Sequence, residues 1–154
     1  MADFLPRVRV QEAAFDLAEE AAALTAGRTD VGGLASFCGL CHADDGLAAL
    51  ELEHYPGMTE RAIERIAAEA GRRWPLTGCT VIHRVGAIPP GAPIVLVLTA
   101  SAHRTAALEA CAFLIDWLKT RAPFWKREVF ADGTSRWVEA KDADDAAAAR
   151  WYQA

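Results

Sequence analysis

A single α+β domain is the fold class the chain predicts, and three observations carry it. Its 154 residues match the length of one ordinary domain. Residues 59–73 and 105–121 repeat apolar side chains at helical spacing, whereas 79–85 and 94–100 are short runs rich in Val, Ile and Leu. Asp132-Gly133 stands between two strand-like stretches as a hairpin turn. The hydrophobic fraction is 53%, and a chain of this size buries about 68–70% of its unfolded surface. That composition excludes disorder and removes any need for disulfide staples.

Taken in order, Arg7 to Val10 alternates as a short edge strand does. Phe15 to Ala26 is rich in Ala, Leu and Glu and reads as a helix, with Gly27 as its stop. Val31–Cys41 reads as a strand, Ala43-Asp-Asp-Gly46 as a turn, and Leu47 to Tyr55 as the second arm of a hairpin closed by Pro56-Gly57. Thr59 is placed to cap the next helix, whose stripe is Ile63, Ile66, Ala67 and Ala70, and Trp74-Pro75 ends it. The loop Gly86–Gly91 separates the two apolar strands. The helix over 105–121 is apolar nearly all round, from Ala106 to Leu118; so narrow a polar stripe requires cover on most sides, and a partner subunit is expected to supply part of it. Phe124–Phe130 and Arg136–Val138 form the Asp132-Gly133 hairpin, and the Ala-rich stretch from Asp142 to Trp151 is helical if docked. No repeat, linker or low-complexity segment interrupts residues 1–154, which form one domain.

Sixteen Lys and Arg against twenty-one Asp and Glu give a net charge of −5 and a pI near 5.3, which argues against a nucleic-acid partner. No apolar run approaches the roughly 18 residues of a membrane span. The start, Met-Ala-Asp-Phe-Leu-Pro-Arg, lacks the cations and apolar stretch of an export signal, so a cytoplasmic protein is expected. Cys38-Gly-Leu-Cys-His42 matches the attachment pattern of c-type haem, and its first four residues match a thiol-redox pair. Haem attachment follows export, however, and redox pairs favour a helix N-terminus. A zinc site needs two further ligands, which no second cysteine or histidine pair provides. Phosphate-loop, dinucleotide, zinc-protease and serine-hydrolase motifs are absent.

The remaining chemistry lies in cations at element boundaries. His103-Arg104 stands where a strand gives way to the long helix, and backbone N–H groups at a helix start receive anions, with an arginine adding a bidentate fork. Lys119 closes that helix, either paired with Asp116 in solvent or partly desolvated by the aromatics before Lys126-Arg127; desolvation lowers a lysine pKa and suits it to proton transfer. The mixture of cations and aromatics from Lys119 to Arg127 also suits single-stranded nucleic acid, but nothing else on the chain extends that patch. His83-Arg84 reads as a satisfied structural pair.

Leu52-Glu-His-Tyr-Pro-Gly-Met58, Val81-Ile-His-Arg-Val-Gly86, Ser101-Ala-His-Arg104, Leu118–Glu128, Asp132-Gly133 and Arg136-Trp-Val-Glu139 together closely resemble the large, catalytic subunit of molybdopterin synthase, the MoaE family. The likeness runs through residues 31–151, with little of it in the first 30. It implies an α/β hammerhead fold with an additional antiparallel sheet, a homodimer, and one small ubiquitin-like subunit on each large subunit, giving a heterotetramer. The implied reaction is sulfurtransferase chemistry. Sulfur passes from the thiocarboxylated C-terminal glycine of the small subunit to cyclic pyranopterin monophosphate, making the molybdopterin dithiolene without a metal or haem cofactor. On this resemblance His103-Arg104 receives the cyclic phosphate, Lys119 is the essential catalytic residue, and Lys126 assists it and holds phosphate. Arg127 and Glu128 complete the pocket wall, and each pocket forms near the dimer interface. Leu40, Cys41 and His42 fall on a substrate-contacting stretch, where the family's Gly-Lys-Val-Arg is replaced by Gly39-Leu-Cys-His42. A histidine carries at most part of a charge near neutral pH. Two other readings are a haem or thiol-redox protein resting on Cys38, Cys41 and His42, and a non-catalytic interaction domain that leaves the lysines idle.

Overall fold

A computed structural model describes residues 4–43, 46–139 and 142–152; Asp44 and Asp45 of the expected turn lie outside the described residues. In chain order the elements are β1 (Arg7–Gln11), α1 (Leu17–Thr25), β2 (Gly33–Leu40), β3 (Leu47–His54), α2 (Met58–Arg73), β4 (Leu76–Arg84) and β5 (Gly86–Ile88). Then come β6 (Pro93–Ser101), α3 (Arg104–Thr120), β7 (Phe124–Phe130), β8 (Ser135–Trp137), α4 (Asp142–Ala149) and a 3-10 turn at Arg150–Tyr152.

The strands form two four-stranded sheets, ordered β1-β4-β6-β2 and β5-β3-β7-β8. In the first, β1 runs parallel to β4 and the other pairs are antiparallel. Both faces of β4 and β6 are covered, which explains why β6 is apolar from Ile94 to Leu98 and why β4 is buried without alternation. Val81 and Val97 face Ile63, Ala67, Ala110, Phe113 and Leu114 of α2 and α3. Ile82, Leu96, Leu98 and Ala100 face Leu24 of α1.

The expected hairpin between the strands at 33–40 and 47–54 does not form. β2 pairs with β6, whereas β3 joins the second sheet between β5 and β7. Cys41 is where the chain changes sheets: its N–H donates to Ala92 O (2.8 Å) and its carbonyl accepts from Gly91 N (2.7 Å). The Gly86–Gly91 loop correspondingly contributes β5, which pairs with β3.

Thr59 does not cap α2. Gly57, at φ +84°, is the N-cap, and Glu60 reaches back to accept its N–H at 2.8 Å. Thr59 is buried one residue inside the helix, where its hydroxyl accepts from Tyr55 N and donates to Pro123 O. That bond ties α2 to the turn between α3 and β7. At the other end of α3, Gly32 and Gly33 permit a close backbone crossing, since a Cβ on Gly32 would lie 2.0 Å from Ala102 O.

α3 is covered largely by its own chain. Trp151 packs edge-on against Phe113 with ring centroids 5.7 Å apart, donates from Nε1 to Asp116 Oδ2 at 2.7 Å, and accepts from Arg73 at its carbonyl. The C-terminal residues therefore supply part of the cover that the sequence assigned to a second subunit, and Leu108 is the large apolar side chain of α3 left exposed.

Candidate active site

A cavity of about 490 Å³ opens where the C-terminal end of α3 meets the inner face of the second sheet. Its size falls within the range of small-molecule sites, which is about 300–1,000 Å³. Strand alternation builds one wall. Phe124, Lys126, Glu128 and Phe130 of β7 all point inward, as a period of two requires. α3 delivers Leu118, Lys119 and Thr120; the sheet crossing delivers Leu40, Cys41 and His42; and Asp144 of α4 closes another side. Lys119 is exposed at the mouth and Lys126 is half-buried on the wall.

The expected pairing of Lys119 with Asp116 is not what Asp116 does, because its carboxylate accepts from Trp151 and Arg150. On the opposite wall Glu128 is paired with Arg136 at 3.1 Å. The cavity thus holds Lys119, Lys126, Arg136 and His42 together with Glu128, Glu139 and Asp144, a mixed lining of charged and hydrogen-bonding groups.

Six residues expected at the site line this cavity together: Leu40, Cys41, His42, Lys119, Lys126 and Glu128. Three do not. Arg127 follows Lys126 on β7, so the same alternation turns it to the outer face, where its guanidinium binds Glu51 and lies over the Trp137 ring at 5.7 Å. His103 and Arg104 are exposed at the N-terminal end of α3, and a 15-residue separation along a helix spans about 22 Å. One chain therefore does not bring them to Lys119. His103 is the N-cap, in extended conformation, with no side-chain cap bond and no acidic residue in the first turn.

Sequence reasoning assigned no role to Arg136, Val138, Glu139 or Asp144. Arg136 and Val138 follow from the hairpin, in which Arg136 lies opposite Glu128 and Val138 N donates to Lys126 O; Glu139 lies beyond the paired residues. Asp144 depends on how the C-terminal helix docks and leaves no local signal.

Cys38 and Cys41 are free, and burial raises both thiol pKa values from the ordinary value. That shift opposes the thiolate character of a redox pair. Beneath the lysines, His83 is buried on β4 with its ring stacked on Phe124 at 3.9 Å. Its Nδ1 lies 2.8 Å from Arg84 O, while the Arg84 guanidinium donates to Glu12 O and Pro93 O. Burial, reinforced by Lys126, Lys119 and His54, pushes the His83 pKa down to about 3. Among the described residues, no group of three or more His, Cys, Asp or Glu is arranged to hold a metal ion, and no helix is long and apolar enough to cross a membrane.

Two sheets meeting over a cavity lined by Lys119 and Lys126 define an α+β domain with room for a small molecule. The chain belongs to the MoaE family, whose model, described as MoaE protein, matches residues 10–121. It is 63% identical over 148 residues to a molybdopterin synthase catalytic subunit of Mesorhizobium japonicum, covering 95% of this chain and 93% of that one. Among solved structures, the molybdopterin biosynthesis MoaE protein of Burkholderia ambifaria matches with a TM-score of 0.83 and 51% identity, over 97% of this chain and 100% of that one. A complex of subunits 1 and 2 of molybdopterin-converting factor from Helicobacter pylori shares the fold, with a TM-score of 0.71 at 21% identity over 88% of this chain and 90% of that one.

Proposed function

We propose that the chain is the catalytic subunit of a molybdopterin synthase, a cytoplasmic sulfurtransferase acting on cyclic pyranopterin monophosphate with no cofactor of its own. The observation that carries the proposal is the cavity in which Lys119 and Lys126, from two different elements, face one 490 Å³ space in a chain of this family. Both substrates are anions. A phosphate and a thiocarboxylate entering this space meet two ammonium groups, and charge-assisted hydrogen bonds of this kind are about twice as strong as neutral ones.

In the reaction proposed, the thiocarboxylate of a small ubiquitin-like subunit attacks a carbon of the precursor. The carbon attacked bears oxygen: a carbon–sulfur bond forms, the carbon–oxygen bond breaks with its oxygen leaving protonated, and the tail becomes an acyl thioester. Water then cleaves the acyl carbon–sulfur bond, which releases the tail as a carboxylate and leaves sulfur on the pterin; a second small subunit repeats the step to complete the dithiolene. Lys119 holds the thiocarboxylate and stabilises the oxyanion formed during hydrolysis. Lys126 orients the precursor through its phosphate. Glu128, paired with Arg136, gives the wall an acceptor for the pterin's N–H groups.

His103 and Arg104 enter through a second copy of the chain. Exposed Leu108 near their helix end, and exposed Leu34 on the edge strand β2, give that copy an apolar seat. The resulting homodimer binds two small subunits.

Mixing the purified chain with thiocarboxylated small subunit and precursor tests the proposal. Dithiolene formation is expected. Binding of both without product would make this a non-catalytic interaction domain, and a Soret band in the purified protein would restore the haem reading of Cys38, Cys41 and His42.

A further inference from the structure

Behind the main cavity lies a small recess of about 30 Å³, lined by His83, Lys119 and Lys126 together with Leu40, Ile94 and Leu118. It connects the buried imidazole to both lysines. Room of this size holds about one water. The ring has little freedom: it is 4% exposed and lies flat on Phe124 with an interplanar angle of 20°. Because the Arg84 carbonyl can only accept, the 2.8 Å contact requires Nδ1 to carry the proton. The neutral ring then has Nε2 as its sole acceptor.

We propose that His83 is the positioning residue for the lysine pair: its Nε2 accepts from a lysine ammonium, directly or through one water in the recess, and so fixes where Nζ sits. The choice of residue has a physical consequence. A carboxylate in this position would orient the lysines equally well but cancel the charge that receives the substrate anions. An uncharged imidazole orients without cancelling. It also stays uncharged, because it is buried and the side chains acting on it across the packing, Lys126 from β7, Lys119 from α3 and His54 from the end of β3, all work in the same direction. Its register neighbours on β1 and β6, Val10 and Val95, are apolar.

The role rests on the sulfur-transfer reading for its kinetic consequence but has a test independent of it. In full-length protein labelled with ¹⁵N-histidine, His83 should show one protonated nitrogen and one unprotonated acceptor nitrogen, and the acceptor resonance should move in Lys119→Met or Lys126→Met. An acceptor resonance indifferent to both substitutions overturns the proposal, whatever the enzyme does. In the sulfur-transfer assay, His83→Phe keeps the stack on Phe124 and removes the acceptor, and should slow product formation by about 10- to 100-fold. His83→Gln restores an acceptor and should recover most of that loss at a comparable melting temperature. A folded His83→Phe variant with wild-type rate, or a His83→Gln variant as slow as His83→Phe, would contradict the assignment. If His83→Phe does not fold, the resonance shift decides. If the wild-type protein makes no product, the sulfur-transfer reading fails while the resonance shift still tests the positioning contact.

Discussion

The two sheets are assembled from strands of similar length, yet they treat their faces in opposite ways. In the first sheet, β4 and β6 are buried almost end to end between α1 on one side and α2 with α3 on the other. In the second, β7 is nowhere fully buried and sends Lys126 and Glu128 to one face, Trp125 and Arg127 to the other. The first sheet meets the cavity at Leu40 and Ile94 and reaches the lysines through His83; the second has a face that its own chain leaves open to solvent. α3 joins the two, with Phe113 in the core and Lys119 at the cavity. The core and the proposed site thus lie six residues apart on one helix, and substitutions at Phe113 and at Lys119 should separate in their effects.

The largest effect on stability should come from the core. Phe113→Ala is expected to cost about 3–5 kcal/mol in urea unfolding, and a loss below about 1 kcal/mol would mean that the core around Trp74 and Trp151 is not the scaffold described. Acid gives the next largest effect. The folded His83 pKa of about 3 lies below the ordinary 6.5, so between these values the unfolded chain binds a proton that the native one refuses. This contribution to stability is intact above 6.5 and falls as pH drops towards 3, at up to about 1.4 kcal/mol per pH unit. Melting curves between pH 7 and 4.5 should show that decline in the wild-type protein and a shallower one in His83→Phe; parallel declines would remove His83 as the cause.

A smaller effect is expected at Arg127. Its pair with Glu51 at the protein surface contributes little to stability, and Arg127→Ala should leave the sulfur-transfer rate close to wild type because the side chain faces away from the cavity. A large kinetic loss there would mean that the outer face of the second sheet takes part after all.

Where the signal is local, the sequence is a good guide. The apolar runs of β4 and β6, the 3.6-residue repeat of α2 and α3 and the Asp132-Gly133 turn each specify their own element, and period two along β7 already places Lys126 and Glu128 on one face. What escaped it depends on distant partners. The strand β3 looks like the second arm of a hairpin because nothing in its side chains records that Cys41 exchanges backbone hydrogen bonds with the Gly91-Ala92 turn. Asp116 looks like a partner for Lys119 because i−3 spacing is local, while Trp151, 35 positions away, takes its carboxylate instead. The distance between Arg104 and Lys119 is legible as well, since helix length alone sets it.

Single-turnover sulfur transfer by Lys119→Ala separates a chemical role of Lys119 from a structural one. With saturating thiocarboxylated small subunit and precursor, the account predicts a rate at least about 100-fold below wild type, at an unfolding free energy within about 0.5 kcal/mol of it. A variant that folds as well and forms molybdopterin as fast as wild type would contradict it.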